Sequence, residues 1–317
     1  MKVLLTGASG FVGSALMRVL AESAVHEIRP VFRGSSRSFP RLSGAFFIEG
    51  LHPHTDWVSA ASGIDVVVHA AARVHVLKER SLDPLAAFRE TNVFGTLNLA
   101  SQAARAGATR FIFISSIGVN GNESALPFTV TSQPQPSEPY AISKLEAERG
   151  LVELSRATGM EVVIIRPPLV YGPDAPGNFK RLAGALQKGV PLPLGAIDNQ
   201  RTFIALPNLV DLIVRCIDHP AAANRTLLAG DGEDMSTTEF LRRMSAALGK
   251  RPRLVPVPVS LLEVVARLFG KRDMVRKLCC NLQVDITHTR EILGWQPPLS
   301  VDEGLSYAMQ PSQNLMK

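Results

Sequence analysis

The sequence predicts an α/β fold: a doubly wound parallel sheet with helices on both faces, and a smaller C-terminal part interleaved with it. Three observations carry that expectation. Short, continuous apolar runs alternate with helically periodic stretches through residues 1–172, the pattern of strands buried on both faces. A glycine-spaced turn joins the first apolar run to the first helical stretch. From Tyr171-Gly172-Pro173 onward the texture changes, and Pro173, Pro176, Pro191 and Pro193 break the alternation.

Val3-Leu4-Leu5 reads as the first strand, and Thr6-Gly7-Ala8-Ser9-Gly10-Phe11-Val12-Gly13 follows at once. Phe11, Val12, Ala15, Leu16, Val19 and Leu20 then recur at helical spacing. Strand, glycine turn and helix are the context a phosphate-binding glycine motif requires. Gly7 permits the tight turn, Gly10 lets the backbone approach a pyrophosphate, and Gly13 allows close packing of helix on strand. The helix N-terminus adds free N–H groups and partial positive charge. Gly7, Ser9, Gly10, Phe11, Val12 and Gly13 are therefore candidate dinucleotide-binding residues.

Further strands are expected at 28–32, 46–48 and 64–69, the last ending in Ala70-Ala71-Ala72. A helix over about 84–106 precedes a strand at 111–115, and another, starting near Tyr140, precedes a strand at 162–165. The stretch 206–217 reads as helix, and 226–229 as a strand rejoining the main sheet. Two amphipathic helices follow, at 236–248 and 261–269; the apolar positions of the second could suggest membrane contact, but at its length it is expected to face the core. The expected division is a dinucleotide-binding domain over 1–172, rejoined by about 206–230, with 173–317 mainly binding substrate.

Tyr140 and Lys144 stand at i and i+4 and share a helix face. A phenol is a poor base at its free pKa of about 10, and a neighbouring cation favours the phenolate. Ser116, at the end of the apolar run 111–114, can hydrogen-bond a reacting oxygen. The trio can move a proton to or from a sugar or alcohol oxygen while a hydride moves at carbon.

These pieces in this order resemble the extended short-chain dehydrogenase/reductase family, in its nucleotide-sugar branch of NAD-dependent epimerases and dehydratases. The likeness spans nearly the whole chain. It includes His69-Ala70-Ala71-Ala72-Arg73, Asn92-Val93-Phe94-Gly95-Thr96, Ser115-Ser116, Tyr140 with Lys144, and Arg166-Pro167-Pro168-Leu169-Val170-Tyr171-Gly172-Pro173. Leu293-Gly294-Trp295-Gln296-Pro297 and Glu303-Gly304-Leu305 complete it. The resemblance implies a Rossmann domain with Tyr140 as acid/base, Ser116 orienting the reacting oxygen, and Lys144 holding the nicotinamide ribose. It implies that Ala70, Ala71 and Ala72 line the cofactor, that Asn92 helps near the nicotinamide, and that Arg201 clamps a substrate diphosphate. It also implies a homodimer, formed through the helices at 84–106 and near Tyr140.

The departures from the family pattern narrow the reading. Ile117 and Gly118 stand where dehydratases carry an Asp-Glu pair, and neither side chain transfers a proton. Arg33, with Ser35, Ser36 and Arg37 behind it, stands where NAD-preferring relatives place an acid. A basic residue there accommodates a 2′-phosphate, which points to NADP; stacking of the arginine on adenine keeps NAD open. Glu49-Gly50 replaces the usual Gly-Asp, and Leu169 replaces an Asn that contacts the sugar; Asn178 is the candidate to take over that contact. His69 is expected to pack or hydrogen-bond at a strand end. The expected activity is reduction of the 4-keto group of a UDP-2-acetamido-2,6-dideoxy-hexos-4-ulose for surface polysaccharide. The alternative is a UDP-hexose 4-epimerase. A redox-sensing binding protein on this fold would keep the glycines but would not need Ser116, Tyr140 and Lys144 together.

Composition bounds the partners. The 317 residues are 46% hydrophobic with a net charge of +6, enough for one large or one large plus one small domain. No apolar run approaches the roughly 20 residues that cross a bilayer. Val3-Leu4-Leu5 is too short for a signal-peptide core of about 7–15 residues, so a cytoplasmic protein is expected. Cys216, Cys279 and Cys280 have no metal-site spacing, and no metal is expected. Arg251, Arg253, Arg267, Lys271, Arg272, Arg276 and Lys277 face only Glu263 and Asp273, seven against two, a net +5 in one stretch. Nucleic acid, an anionic membrane surface or a phosphorylated small molecule could meet such charge. No recognition helix or stacking-aromatic series accompanies it, so nucleic acid is not expected.

Overall fold

The computed structural model describes residues 1–23, 25–34, 44–74, 83–270 and 272–310, without the side chains of 272–274. Its strands are β1 (Lys2–Thr6), β2 (Glu27–Arg33), β3 (Phe46–Ile48), β4 (Val66–His69), β5 (Arg110–Ile114), β6 (Glu161–Arg166), β7 (Leu169–Tyr171), β8 (Arg201–Ala205), β9 (Arg225–Leu228) and β10 (Asp234–Met235). Its α-helices are α1 (Phe11–Glu22), α2 (Val58–Ala61), α3 (Pro84–Arg89), α4 (Thr96–Arg105), α5 (Pro139–Thr158), α6 (Asn178–Gln187), α7 (Leu206–Asp218), α8 (Thr237–Ala247), α9 (Val259–Leu268), α10 (Arg272–Cys279), α11 (Thr287–Leu293) and α12 (Val301–Ala308).

Seven strands form one parallel sheet in the order β3-β2-β1-β4-β5-β6-β9. Period-2 alternation divides each central strand between two cores. Val3, Leu5, Val66, Val68, Ile112 and Ile114 face a cluster with Leu16 and Leu20 of α1 and Leu209 and Ile213 of α7. Leu4, Val67, Phe111 and Phe113 face the opposite cluster, with Leu99 and Ala103 of α4 and Ala147 and Leu151 of α5. The apolar runs are continuous because both faces are covered, as the sequence pattern requires. β9 pairs with β6, so the chain returns to the main sheet after leaving it.

Chain order reverses beside β1: β2 and β3 lie on one side of it, and β4, β5 and β6 on the other. Such a reversal opens a crevice at the carboxyl ends of the strands, where ligands of open α/β sheets bind. A second, three-stranded sheet, β10-β8-β7, packs with α6, α8 and α12 around Tyr171, Phe179, Phe203 and Phe240. The rings of Phe203 and Phe240 stack with centroids 4.0 Å apart.

Two expectations need correction. The stretch 84–106 is not one α-helix: Glu90–Gly95 forms a π-helical turn between α3 and α4, a wider coil often found at functional positions. Nor does α9 simply face the core. Ala266 is buried and Leu262 packs inward, whereas Leu261, Val264, Val265, Leu268 and Phe269 are exposed. Among the described residues no helix is long and apolar enough to cross a membrane.

Candidate active site

The glycine turn closes on itself and on the loop beyond β4. Gly7 has φ +73°, and a Cβ there would lie 2.7 Å from the Ala71 nitrogen and 2.8 Å from the Ala70 carbonyl carbon. A Cβ on Gly13 would lie 2.0 Å from the Gly7 oxygen, so only hydrogen lets α1 pack on the turn. The Gly10 N–H donates to the Gly7 carbonyl over 2.8 Å. Gly10 caps α1 without a side chain, and the first turn holds no acid. Its opening N–H groups, of Phe11, Val12 and Gly13, thus point out of an end that no side chain caps among the described residues. Ser9 and Gly10 are exposed, and Ala70, Ala71 and Ala72 are half-buried beside them. This small-residue cradle at the sheet's switch point fits a dinucleotide pyrophosphate.

The candidate catalytic residues gather at the end of β5 and the start of α5. Lys144 is 2% exposed; its Nζ donates to the Ile114 carbonyl over 2.8 Å and lies 4.2 Å from the Phe113 ring centroid. The same Nζ stands 5.9 Å from the Tyr140 ring centroid. Ser116 caps the short 3₁₀ turn Ile117–Val119, its Oγ accepting from the Gly118 N–H. That turn abuts the start of α5: a Cβ on Gly118 would lie 3.4 Å from the Ala141 Cβ. Phe88 meets the Tyr140 ring edge-on at 6.1 Å.

Burial, more than charge, sets the protonation of these groups. It drives Lys144 down from 10.5 to about 7, with Glu148 pulling partly the other way. It raises Tyr140 above its ordinary value. The expectation that the lysine would lower the phenol is therefore corrected: desolvation disfavours the phenolate. His69 bridges Thr6 Oγ1, at 2.6 Å from its Nδ1, and Thr96 Oγ1, at 2.9 Å from its Nε2. Burial first, and Lys144 second, hold it down at about 3, so it stays neutral.

Asn92 sits on the π-helical turn and joins two parts of the site. Its Nδ2 donates to the Arg73 carbonyl and to Ser143 Oγ, each over 3.0 Å, while its Oδ1 accepts from the Arg73 N–H. Ser143 Oγ in turn donates to the Tyr140 carbonyl over 2.7 Å. The loop after β4 is thus pinned to the helix that carries Tyr140.

Sequence reasoning missed the layer beneath. Arg166 grips Glu148 with two donors, Nε to Oε1 at 3.0 Å and Nη2 to Oε2 at 2.5 Å. Its Nη1 reaches Asn120 Oδ1, and Ser115 Oγ donates to Glu148. Glu148 lies at i+4 from Lys144, a spacing that could have drawn attention to it.

The remaining candidates lie apart. Arg33 is exposed at the end of β2, in register with Ile48; Ser35, Ser36 and Arg37 lie outside the described residues. Arg201 opens β8, half-buried, with Nη1 donating to the Cys280 carbonyl over 2.8 Å. Burial lowers its guanidinium from the ordinary value. Asn178 begins α6, half-buried, after Gly177 at φ 76°. Among the described residues no group of His, Cys, Asp and Glu could hold a metal ion.

The model of the NAD dependent epimerase/dehydratase family matches residues 3–230. A UDP-glucose 4-epimerase of Vibrio cholerae is 44% identical over 311 residues, covering 97% of this chain and 94% of the relative. Among solved structures, UDP-glucuronic acid 4-epimerase from Bacillus cereus in complex with NAD has a TM-score of 0.78 at 22% identity, covering 97% of this chain and 95% of that one. RMD from Pseudomonas aeruginosa complexed with NADPH has a TM-score of 0.72 at 24% identity, covering 97% of both chains.

Proposed function

The chain belongs to the NAD dependent epimerase/dehydratase family, and from that premise we propose that it exchanges a hydride and a proton at C4 of a UDP-hexose. The observation that carries this reading is the placement of Tyr140, Lys144 and Ser116 together where β5 ends and α5 begins, at the carboxyl end of the sheet whose β1 leads into the glycine cradle. The cradle would hold the dinucleotide pyrophosphate, with Ala70, Ala71 and Ala72 along it and Lys144 and Asn92 toward the nicotinamide. When bound, the nicotinamide supplies or accepts the hydride. Tyr140 exchanges the proton with the C4 oxygen, Ser116 orients that oxygen, and Lys144 holds the charge balance beneath.

Reduction of a UDP-4-keto sugar for surface polysaccharide is the outcome one observation supports. Arg33 ends β2 exposed, suited to the 2′-phosphate of NADP. Burial raises Tyr140 above its ordinary value, so its phenol is protonated in either reading. The second reading, 4-epimerisation with retained NAD, is favoured by the similarity to the Vibrio cholerae enzyme. Asn178 and Arg201 are the proposed substrate contacts. A homodimer through the helical stretch 84–106 and α5 belongs to the same reading, supported by exposed Phe94 on the π-helical turn and Val152 on α5.

Anaerobic incubation with UDP-glucose and with UDP-4-keto sugars, with and without NADPH, separates the readings by product. Stoichiometric NADPH oxidation with the keto sugar, and no interconversion of UDP-glucose and UDP-galactose, supports the reductase. Interconversion by protein with firmly bound NAD establishes the epimerase. Tyr140→Phe is expected to retain dinucleotide binding and lose about 10²–10⁴ in turnover; near-normal turnover would exclude Tyr140 as the acid/base.

A further inference from the structure

We propose that α9 docks this protein on an anionic lipid surface, lying in the plane of the headgroups. Leu261, Val264, Val265, Leu268 and Phe269 recur at i, i+3, i+4, i+7 and i+8, so they form one stripe along the helix. All five are exposed, Leu268 at 78% and Phe269 at 73%. The opposite side already has its partners: Ala266 is buried, and Val259 and Leu262 pack on the C-terminal core. Single exposed apolar residues need no explanation, but a continuous stripe marks an interaction surface.

Charge selects the occupant. Arg251 and Arg253 precede the helix and Arg267 lies on it, all exposed, against Glu263. Lys271 and Arg272 follow directly in sequence. Arg276 and Lys277 are already matched, by Glu123 at 2.8 Å and Glu138 at 2.6 Å. A second copy of this chain seated face to face would set arginine clusters of like sign together. An anionic bilayer instead offers acyl chains to the stripe and phosphates to the arginines. The ten-residue helix is too short to span, so it lies on the membrane. α9 packs on α10, and the Lys277–Glu138 pair ties α10 to the residue that caps the catalytic helix.

Co-sedimentation with vesicles tests the proposal, using the full chain. Vesicles of phosphatidylcholine with one third phosphatidylglycerol should capture it at low salt, and pure phosphatidylcholine should not. Leu268→Asp with Phe269→Asp should weaken capture about tenfold to a hundredfold. Arg251→Ser and Arg253→Ser should each cost about fivefold. Neither set touches the proposed catalytic or binding groups, so turnover on soluble substrate should be unchanged and serves as the check on folding. No capture by the anionic vesicles, or capture that ignores both sets, overturns the proposal. So does concentration-dependent self-association that Leu268→Asp abolishes, which would assign the stripe to a second copy.

Discussion

Lys144 carries a buried ammonium at the cost of its proton affinity, and that cost has a measurable sign. Its folded value, about 7, lies below the ordinary 10.5. Between those values the unfolded chain binds the proton and the folded chain does not, so stability rises with pH across that window. Below about 7 both states are protonated and the contribution is flat at its least favourable. Chemical denaturation at several pH values, comparing wild type with Lys144→Met, should show the wild type gaining on the variant only between about 7 and 10.5. A difference constant with pH would mean that Lys144 is not titrating there. Tyr140, Lys144 and Ser116 were legible in the sequence because a four-residue spacing and a strand end place them by local geometry. The protonation states were not legible, because they depend on burial under Phe113 and Phe88, which distant segments supply. Burial likewise turns His69 from an ionisable candidate into a neutral bridge between Thr6 and Thr96.

At the scale of elements, β6 is locked to α5 by the Glu148–Arg166 pair, 8% and 4% exposed on the arginine and carboxylate sides. Removing one partner of such a pair strands the other charge, whereas replacing both with apolar groups is often neutral. Glu148→Ala should therefore destabilise by about 3–5 kcal/mol in urea titration, and Glu148→Leu with Arg166→Met should recover most of that. If the single and double variants lose equal stability, the pair is not what holds these elements. Glu148 also supports the charge of Lys144, so the single variant should lower the lysine further. The central strands were readable because each keeps its apolar run on both faces. β7 and β10 hold three and two residues and exist only through pairing with β8, a contact between distant segments. The π-helical turn is indistinguishable from plain helix in the sequence because its residues, Glu90–Gly95, keep helical spacing on either side. In α9 the periodicity was legible but not its direction, since an amphipathic pattern does not say whether core or another surface takes the apolar face.

Across the whole molecule the two sheets meet through a buried polar joint. Tyr171 OH donates to Asp231 Oδ2 over 2.7 Å, and Asp231 also accepts from the Ala205 N–H and Asn208 Nδ2. The parallel sheet and its glycine cradle were legible because strand, turn and helix are contiguous in sequence. The joint was not, because Tyr171, Asn208 and Asp231 converge only when the chain returns through β9. Arg201 stands at the start of β8 and bridges to Leu282 of the C-terminal segment. Its Nη1 is held by the Cys280 carbonyl, which leaves a guanidinium fixed in direction with donors to spare. Such a fork suits diphosphate oxygens, and a contact remote from C4 changes little between ground and transition state. Arg201→Ala should therefore raise KM about tenfold to a hundredfold, as charge-assisted bonds contribute roughly 1.5–3 kcal/mol, with a smaller effect on kcat. Because the substitution also releases the Cys280 carbonyl, Arg201→Lys is the companion variant. It keeps the charge without the fork and should recover part of the affinity. An unchanged KM with collapsed kcat in both variants, and an unaltered melting curve, would move Arg201 from substrate binding to the chemistry. The diphosphate would then have to be held by other cations, and the basic stretch from Arg251 to Lys277 is the first to test.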